Sequence, residues 1–231
     1  MLCVFVFLGI LSPLTAMLLP QLLGSIDLGD GIILTLPEPS AMDAWLQFFS
    51  NIGQLGMLVV IIMFSGIMAN EFSRQTLVIL LTKGLSRMAI ILSKFIAASL
   101  VWSLAFLLSL AITAAYVAFY WEINILNGLF AFFSLWLFGE LLISLLIFGG
   151  TLFASFYGAL ALAGASIITL ALISIVPDLQ RFNPLSLSGG TVVLLNGTQH
   201  TEFFMPAILI CLVAIITLIA ASIVVFKRKH I

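Results

Sequence analysis

Long apolar runs alternate with short polar segments along the whole chain. Most runs approach or exceed the roughly 20 apolar residues that an α-helix, rising 1.5 Å per residue, needs to cross a bilayer. The pattern predicts an all-α, polytopic membrane protein in which residues 1–231 form a single transmembrane domain. Six transmembrane helices are expected, at about 1–24, 51–70, 95–120, 128–152, 157–176 and 206–226.

Composition favours the same class. Of the 231 residues, 63% are hydrophobic and only 7% are charged, and the mean hydropathy is +1.33. A water-soluble core of this size could not bury so much apolar sequence. We therefore expect the lipid membrane as a partner, and no nucleic acid.

The lysine and arginine residues predict the orientation. Four of the eight lie within 74–94 and three lie within 227–229. Basic residues near short loops favour the cytoplasmic side of a membrane. We expect the loop 71–94 and both termini to be cytoplasmic, with outer loops at 25–50 and 177–205, in a multi-pass protein of a bacterial plasma membrane.

The start of the chain is an apolar run without a basic flank. A secretory signal usually has such a flank, together with a cleavage site of small residues, and neither stands out here. The run is therefore interpreted as a first span, which begins abruptly or follows a short cytoplasmic segment that this chain lacks.

The most polar stretch between two spans reads NEFSRQTLVILLTKGLSRMAIILSK, residues 70–94. Glu71 and Arg74 are about one helical turn apart, and three leucines follow at helical spacing. This spacing predicts a short amphipathic helix along the inner surface, ended near Gly84, with Ser86 capping the helix that follows. The leucines of the stripe are Leu77, Leu80 and Leu81.

Two interpretations of this loop follow from the residues alone. Its basic residues can simply fix the topology of the neighbouring spans. Alternatively, the helix can dock a soluble partner, with Glu71 and Arg74 making directional polar contacts.

A resemblance favours the second interpretation. The loop is similar to the one between the second and third spans of ABC-2 type transporter permeases, which contains E-x-x-x-G-T-L, a leucine pair, P-x-S-R and a lysine. Gln75 stands here in place of the usual glycine, and Gly84 in place of a frequent proline. The matching residues are Glu71, Arg74, Thr76, Leu77, Leu80, Leu81, Thr82, Lys83, Ser86, Arg87 and Lys94.

The resemblance implies an exporter of hydrophobic or amphipathic substrates such as drugs, peptides or lipids. It would contain two permeases, identical or homologous, and two ATP-binding subunits that hold ATP and Mg. The chain itself would be no enzyme and would bind no cofactor, in keeping with the lack of a GxxxxGK phosphate loop. The residues that couple it to the ATPase would be Glu71, Arg74, Thr76, Leu77, Leu80, Lys83 and Arg87.

Glu140 is the one acidic or basic residue well inside a predicted span. An ionised carboxylate facing lipid at mid-bilayer is strongly unfavourable, so the group must be protonated, paired or turned towards a polar interface. It can serve as a substrate or proton site. It can equally be a carboxyl hydrogen-bonded to a neighbouring span.

Two other classes of function remain open from the residues. One is a stand-alone secondary carrier or channel that uses Glu140, although internal repeats and broken, charged spans are not found. The other is a membrane scaffold that recruits a soluble partner through loop 71–94. No metal site is expected, because His200 and His230 have no neighbouring ligands at metal spacing.

Three further features of the sequence predict how parts of the chain are arranged. The aromatic residues before the second span and after the third are typical of an outer-interface belt. The small residues of the fifth span predict close packing inside the bundle or at a dimer seam. The segment 177–205 is expected to form a short helix or re-entrant piece at the outer mouth, or else a hydrophobic loop. The belt aromatics are Trp45, Phe48, Phe49, Tyr116, Tyr120 and Trp121.

Overall fold

The computed structural model of the protein describes residues 1–24, 38–73, 86–121 and 127–229, with the backbone alone for 19–24. These residues form helices, turns and irregular segments, without a strand among them. The six long helices are α1 (Leu2–Gly24), α2 (Ala41–Ser73), α3 (Arg87–Tyr120), α4 (Gly128–Phe153), α5 (Phe156–Ile173) and α6 (Met205–Arg228).

Within the described residues, five helices, α2 to α6, are long and apolar enough to cross a membrane. The part of α1 with described side chains, Leu2–Leu18, is a shorter apolar helix. The prediction of an all-α protein with several membrane-spanning helices is therefore confirmed. The sixth span and the cytoplasmic position of both termini stay predictions.

Two helices begin earlier than the sequence indicated. α2 begins at Ala41, within the expected outer loop 25–50, because Ser40 and Asp43 form a capping box. The Asp43 N–H donates to Ser40 Oγ at 3.3 Å, and the Ser40 N–H donates to Asp43 Oδ2 at 2.9 Å. α3 begins at Arg87, within the expected loop 71–94. Ser86 caps it as expected, since its Oγ accepts the Ala89 N–H at 3.1 Å.

α2 changes its winding along its length. A π-helical turn, Ile52–Gly56, joins Ala41–Asn51 to Met57–Phe64, and Gly66–Ser73 completes the helix after a break at Ser65. The turn brings Gly53 so close to the segment 177–205 that a Cβ there would lie 2.7 Å from the Ser188 carbonyl oxygen. The π turn therefore fits α2 against residues 186–189.

The segment 177–205 consists of short helical pieces, as one of its interpretations predicted. Leu187, Leu194 and Phe204 are buried, and the pieces pack against α4 and α2. Asn183 ties the segment to the end of α5, since its Nδ2 donates to the Leu170 carbonyl oxygen at 2.7 Å. The pieces are Pro177–Gln180, Ser186–Gly189, Gly190–Leu194 and Thr201–Phe203.

α4 is the central helix of the bundle. It packs against α2, α3, α5 and α6, and most of its residues are buried. α1 packs on α2 and α3. The described residues thus surround one apolar helix whose single acidic residue is Glu140.

α3 and α4 approach closely at Gly139. The Trp102 indole of α3 lies over this glycine, where a Cβ would overlap the ring, and its Nε1 donates to the Trp136 carbonyl oxygen at 3.0 Å. The Trp136 indole in turn donates to Ser103 Oγ at 2.9 Å. Two tryptophans therefore join the helices reciprocally.

The expectation of an outer-interface belt is wrong for the three aromatic residues of α2. Trp45, Phe48 and Phe49 are at most 2% exposed. They pack around Phe132 of α4, with ring centroids 5.0 to 6.0 Å apart. Ring-to-ring packing against a helix distant in sequence places them inside the bundle instead of on its surface.

The small residues of α5 pack along one side only. Ala159 and Ala163 are buried, and a Cβ at Gly149 of α4 would lie 3.0 Å from the Ala159 Cα. Ala161 and Ala165 are exposed. Close packing inside the bundle is therefore confirmed for the α4-facing side.

We expect Gly139→Ala to destabilise the protein by about 1–3 kcal/mol, because the new methyl group must displace the Trp102 indole. Gly164→Ala is the matched control: nothing lies within 4 Å of its Cβ position, and alanine favours a helix by up to about 1 kcal/mol. Reversible unfolding in mixed micelles, followed by tryptophan fluorescence, measures both. Equal effects of the two substitutions would contradict the close approach.

Candidate functional site

Two places in the structure combine charged groups with a shape that could serve a function. The first is the basic-end cluster, formed by Glu71 and Phe72 of α2, Arg87 and Lys94 of α3, and residues 226–229. The second is the lateral groove, which lies between α3, α4 and α6 and contains Glu140.

In the basic-end cluster, α2 and α3 are joined by an ion pair. The Lys94 ammonium donates to Glu71 Oε1, and both side chains are partly buried. Partial burial limits screening by salt, so the pair restricts how far the two helices can separate at this end.

Arg87 connects the start of α3 to the end of α6. Its Nη1 donates to the carbonyl oxygens of Phe226 at 2.6 Å, Lys227 at 2.9 Å and Lys229 at 2.8 Å. The last carbonyls of a helix lack partners within the helix, and they attract positive charge. The guanidinium also lies 5.6 Å from the Phe226 ring centroid. Arg87 therefore acts as a C-cap supplied by another helix.

Aromatic contacts close the cluster. The Phe72 and Phe226 rings meet edge to face with centroids 5.9 Å apart, and Lys229 Nζ lies 4.6 Å from the Phe72 ring centroid. Burial lowers the pKa of Lys229 from its ordinary value. The end of α2, the start of α3 and the end of α6 are thus held together.

Two of the predicted coupling residues lie in the described part of the chain, and the others lie outside it. Glu71 and Arg87 belong to the cluster and flank the segment 74–85. The amphipathic helix predicted there lies outside the described residues, together with Arg74, Thr76, Leu77, Leu80, Leu81 and Lys83. Sequence reasoning did not anticipate that Arg87 binds α6, because backbone carbonyls give no residue-specific signal.

Glu140 is 4% exposed and meets α3. Ser99 Oγ donates to Glu140 Oε2. The other oxygen, Oε1, is buried and has no hydrogen-bond partner among the described residues. A carboxyl bonded to a neighbouring helix was one of the two interpretations of this residue, and the bond to Ser99 matches it.

The carboxyl also lines the lateral groove, as the other interpretation requires. The groove has a volume of about 500 Å³ and mainly apolar walls. α3 contributes Phe95 and Ser99, α4 contributes Trp136, and α6 contributes Leu212. This volume lies in the range of sites that hold small organic molecules. Among the described residues, no group of three metal-ligating side chains comes together.

The fold and these sites define a helical membrane protein with several membrane-spanning helices. No protein-family model matches the chain. It is 23% identical over 227 residues to the "uncharacterized transmembrane protein YxlG" of Bacillus subtilis (strain 168), an alignment that covers 95% of this chain and 86% of the relative. The chain is therefore similar over nearly its whole length to a transmembrane protein.

Removing the Arg87 side chain should loosen the end of α6. In Arg87→Ala, we expect amide hydrogen exchange at residues 224–229 to accelerate about tenfold, equivalent to about 1.4 kcal/mol, because several charge-assisted bonds are lost. Lys227→Ala is the control, since it removes a positive charge at the same helix end but keeps the carbonyl that Arg87 binds. Similar acceleration in both variants would contradict the capping role.

Proposed function

We propose that the chain is the membrane-spanning permease of an ATP-binding cassette exporter of the ABC-2 type in a bacterial plasma membrane. Two ATP-binding subunits would hydrolyse ATP with Mg, and a second copy of the chain or a homologous permease would complete the complex. The substrate would be hydrophobic or amphipathic: a drug, a peptide or a lipid. The chain would transmit movement without catalysing a reaction.

The observation that carries the proposal is the basic-end cluster. The segment 74–85, which resembles the coupling loop of ABC-2 permeases, leaves α2 just after Glu71 and returns to α3 just before Arg87. Both ends are fixed, one by the Glu71–Lys94 ion pair and the other by the bonds of Arg87 to α6. A force applied to the segment would therefore reach α2, α3 and α6 together, as coupling to a moving ATPase requires.

The same helices lead to the lateral groove. Ser99 follows Lys94 by five residues on α3, about 7–8 Å along the helix axis. α6, which Arg87 holds, contributes Leu212 and Ile215 to the groove. A change in the angle between α3 and α6 at the basic end would alter the width of the groove, so a mechanical route joins the two sites.

Affinity purification from the native host tests the proposal. The full chain, solubilised in mild detergent, should bring down an ATP-binding subunit at about one copy per permease. Arg74→Glu should lower this recovery several-fold, because Arg74 lies in the proposed coupling segment. Arg181→Glu, the same charge reversal on the predicted outer segment, should not.

An absence of any ATP-binding subunit, even after chemical cross-linking, would overturn the exporter proposal. The stand-alone carrier would then be favoured, because Glu140 already lies in a groove of suitable size. Equal loss of the subunit with Arg74→Glu and Arg181→Glu would place the contact elsewhere.

The ion pair should matter for transmission rather than for docking. In Lys94→Glu, we expect the ATP-binding subunit to be recovered as with wild type, while the ATPase rate of the purified complex changes several-fold, since Glu71 and the new carboxylate repel each other. The exchanged pair, Glu71→Lys with Lys94→Glu, should restore much of the wild-type rate. An unchanged rate in the single variant would show that the pair has no role in coupling.

A further inference from the structure

We propose that the lateral groove binds hydrophobic amines: molecules with an apolar body and a protonated amino group that pairs with Glu140. The binding is inferred from the groove itself. Only the further step, that such amines are the exported substrates, rests on the proposed function.

One oxygen of the Glu140 carboxyl is unsatisfied. Glu140 Oε2 accepts a bond from Ser99, whereas the buried Oε1 has no partner among the described residues. A buried acceptor without a partner costs about 1–3 kcal/mol, and more when it is charged. Because Glu140 lines the groove, a ligand in it whose N–H donor reached Oε1 would remove this cost.

The other polar side chains that line the groove already have partners. Ser103 Oγ accepts the Trp136 indole, and Ser99 Oγ is engaged with Glu140 itself. Of the polar side chains that line the groove in the described part of the chain, Glu140 has an oxygen without a partner. A ligand would therefore be oriented chiefly by its bond to this carboxyl.

The charge of the lining residues favours a cationic ligand. The lining residues include a carboxyl group but neither lysine nor arginine. An anionic ligand would meet an acidic group without a compensating cation, whereas an ammonium group would form an ion pair in an environment of low dielectric constant. The faces of aromatic rings also attract cations, and Phe133 and Trp136 supply two such rings. Charge complementarity thus selects the cation.

The apolar walls determine the rest of the ligand. Ile96 and Leu100 are 54% and 59% exposed, so the groove opens on the outside of the bundle among apolar side chains. Phe95 and Ile215 line the groove as well. An aromatic or aliphatic body would cover these exposed apolar side chains. A volume of about 500 Å³ accommodates a drug-sized molecule.

Equilibrium dialysis of the full chain in phosphatidylcholine nanodiscs tests the proposal. The probes are 2-(1-naphthyl)ethylamine and 2-(1-naphthyl)ethanol, which share an apolar body and differ in charge, and empty nanodiscs give the blank. We expect saturable binding of the amine at about one per chain, at least tenfold tighter than that of the alcohol. Glu140→Gln should weaken amine binding about tenfold and leave alcohol binding unchanged.

Two variants control the result. Glu202→Gln makes the same chemical change at an exposed position in the described structure and should bind the amine like wild type. Leu212→Trp keeps the carboxyl but fills the groove, and should weaken binding of both probes. Leu212 is 40% exposed, so this variant is expected to fold even if Glu140→Gln does not.

Equal affinity for amine and alcohol in wild type would overturn the proposal and leave the groove as plain lipid-facing surface. So would unchanged amine binding in folded Glu140→Gln, or in Leu212→Trp. The binding assay contains no ATP-binding subunit, so a negative result in it would not affect the interpretation of the co-purification. Likewise, if no ATP-binding subunit is recovered, the result on amine binding would still hold.

Discussion

The close approach of α3 and α4 at Gly139 is the contact on which the rest of the arrangement depends. Lipid gives apolar helices no hydrophobic reason to associate, so they are held by close packing and by hydrogen bonds between helices. The Trp102 indole can lie on α4 only because residue 139 has no side chain. That contact sets the distance at which Ser103 meets Trp136 and Ser99 meets Glu140.

Most serine and threonine side chains within the bundle form a hydrogen bond to the backbone of their own helix. Ser144 and Thr151 of α4 donate to carbonyls of their own helix, Leu141 and Ile147, which is how such side chains are accommodated where water is absent. Asn51 crosses from α2 to Ser12 of α1 at 3.0 Å. Four buried side-chain atoms of the described residues depart from this pattern by having no hydrogen-bond partner: Trp45 Nε1, Ser109 Oγ, Thr191 Oγ1 and Glu140 Oε1. Of these, Glu140 Oε1 belongs to an acidic group, and departures of this kind are commonly found at functional sites.

Much of the helical framework could be predicted from the sequence, because long apolar runs have few ways to satisfy their backbone in a membrane. The cap at Ser86 was also predictable, since capping depends on adjacent residues. Contacts between distant segments were not. The burial of Trp45 depends on Phe132 of α4, and the partner of Glu71 lies 23 residues further on. Arg87 binds main-chain atoms, which no residue type identifies. Glu140 stood out in the sequence because a carboxyl group is rare in a membrane span. The groove beside it could not be predicted, because residues of three separate helices line it.

The bonds of Arg87 also concern how the protein is made. Their acceptors lie 139 to 142 residues later, almost at the end of the described chain. A ribosome working from the N-terminus completes α3 long before it adds the residues that Arg87 binds. Throughout that interval the carbonyl groups of Phe226, Lys227 and Lys229 are not yet present to accept its bonds. The basic end of the bundle can therefore close only once synthesis has reached residues 226–229, so α6 completes this end after α2 and α3 have been made.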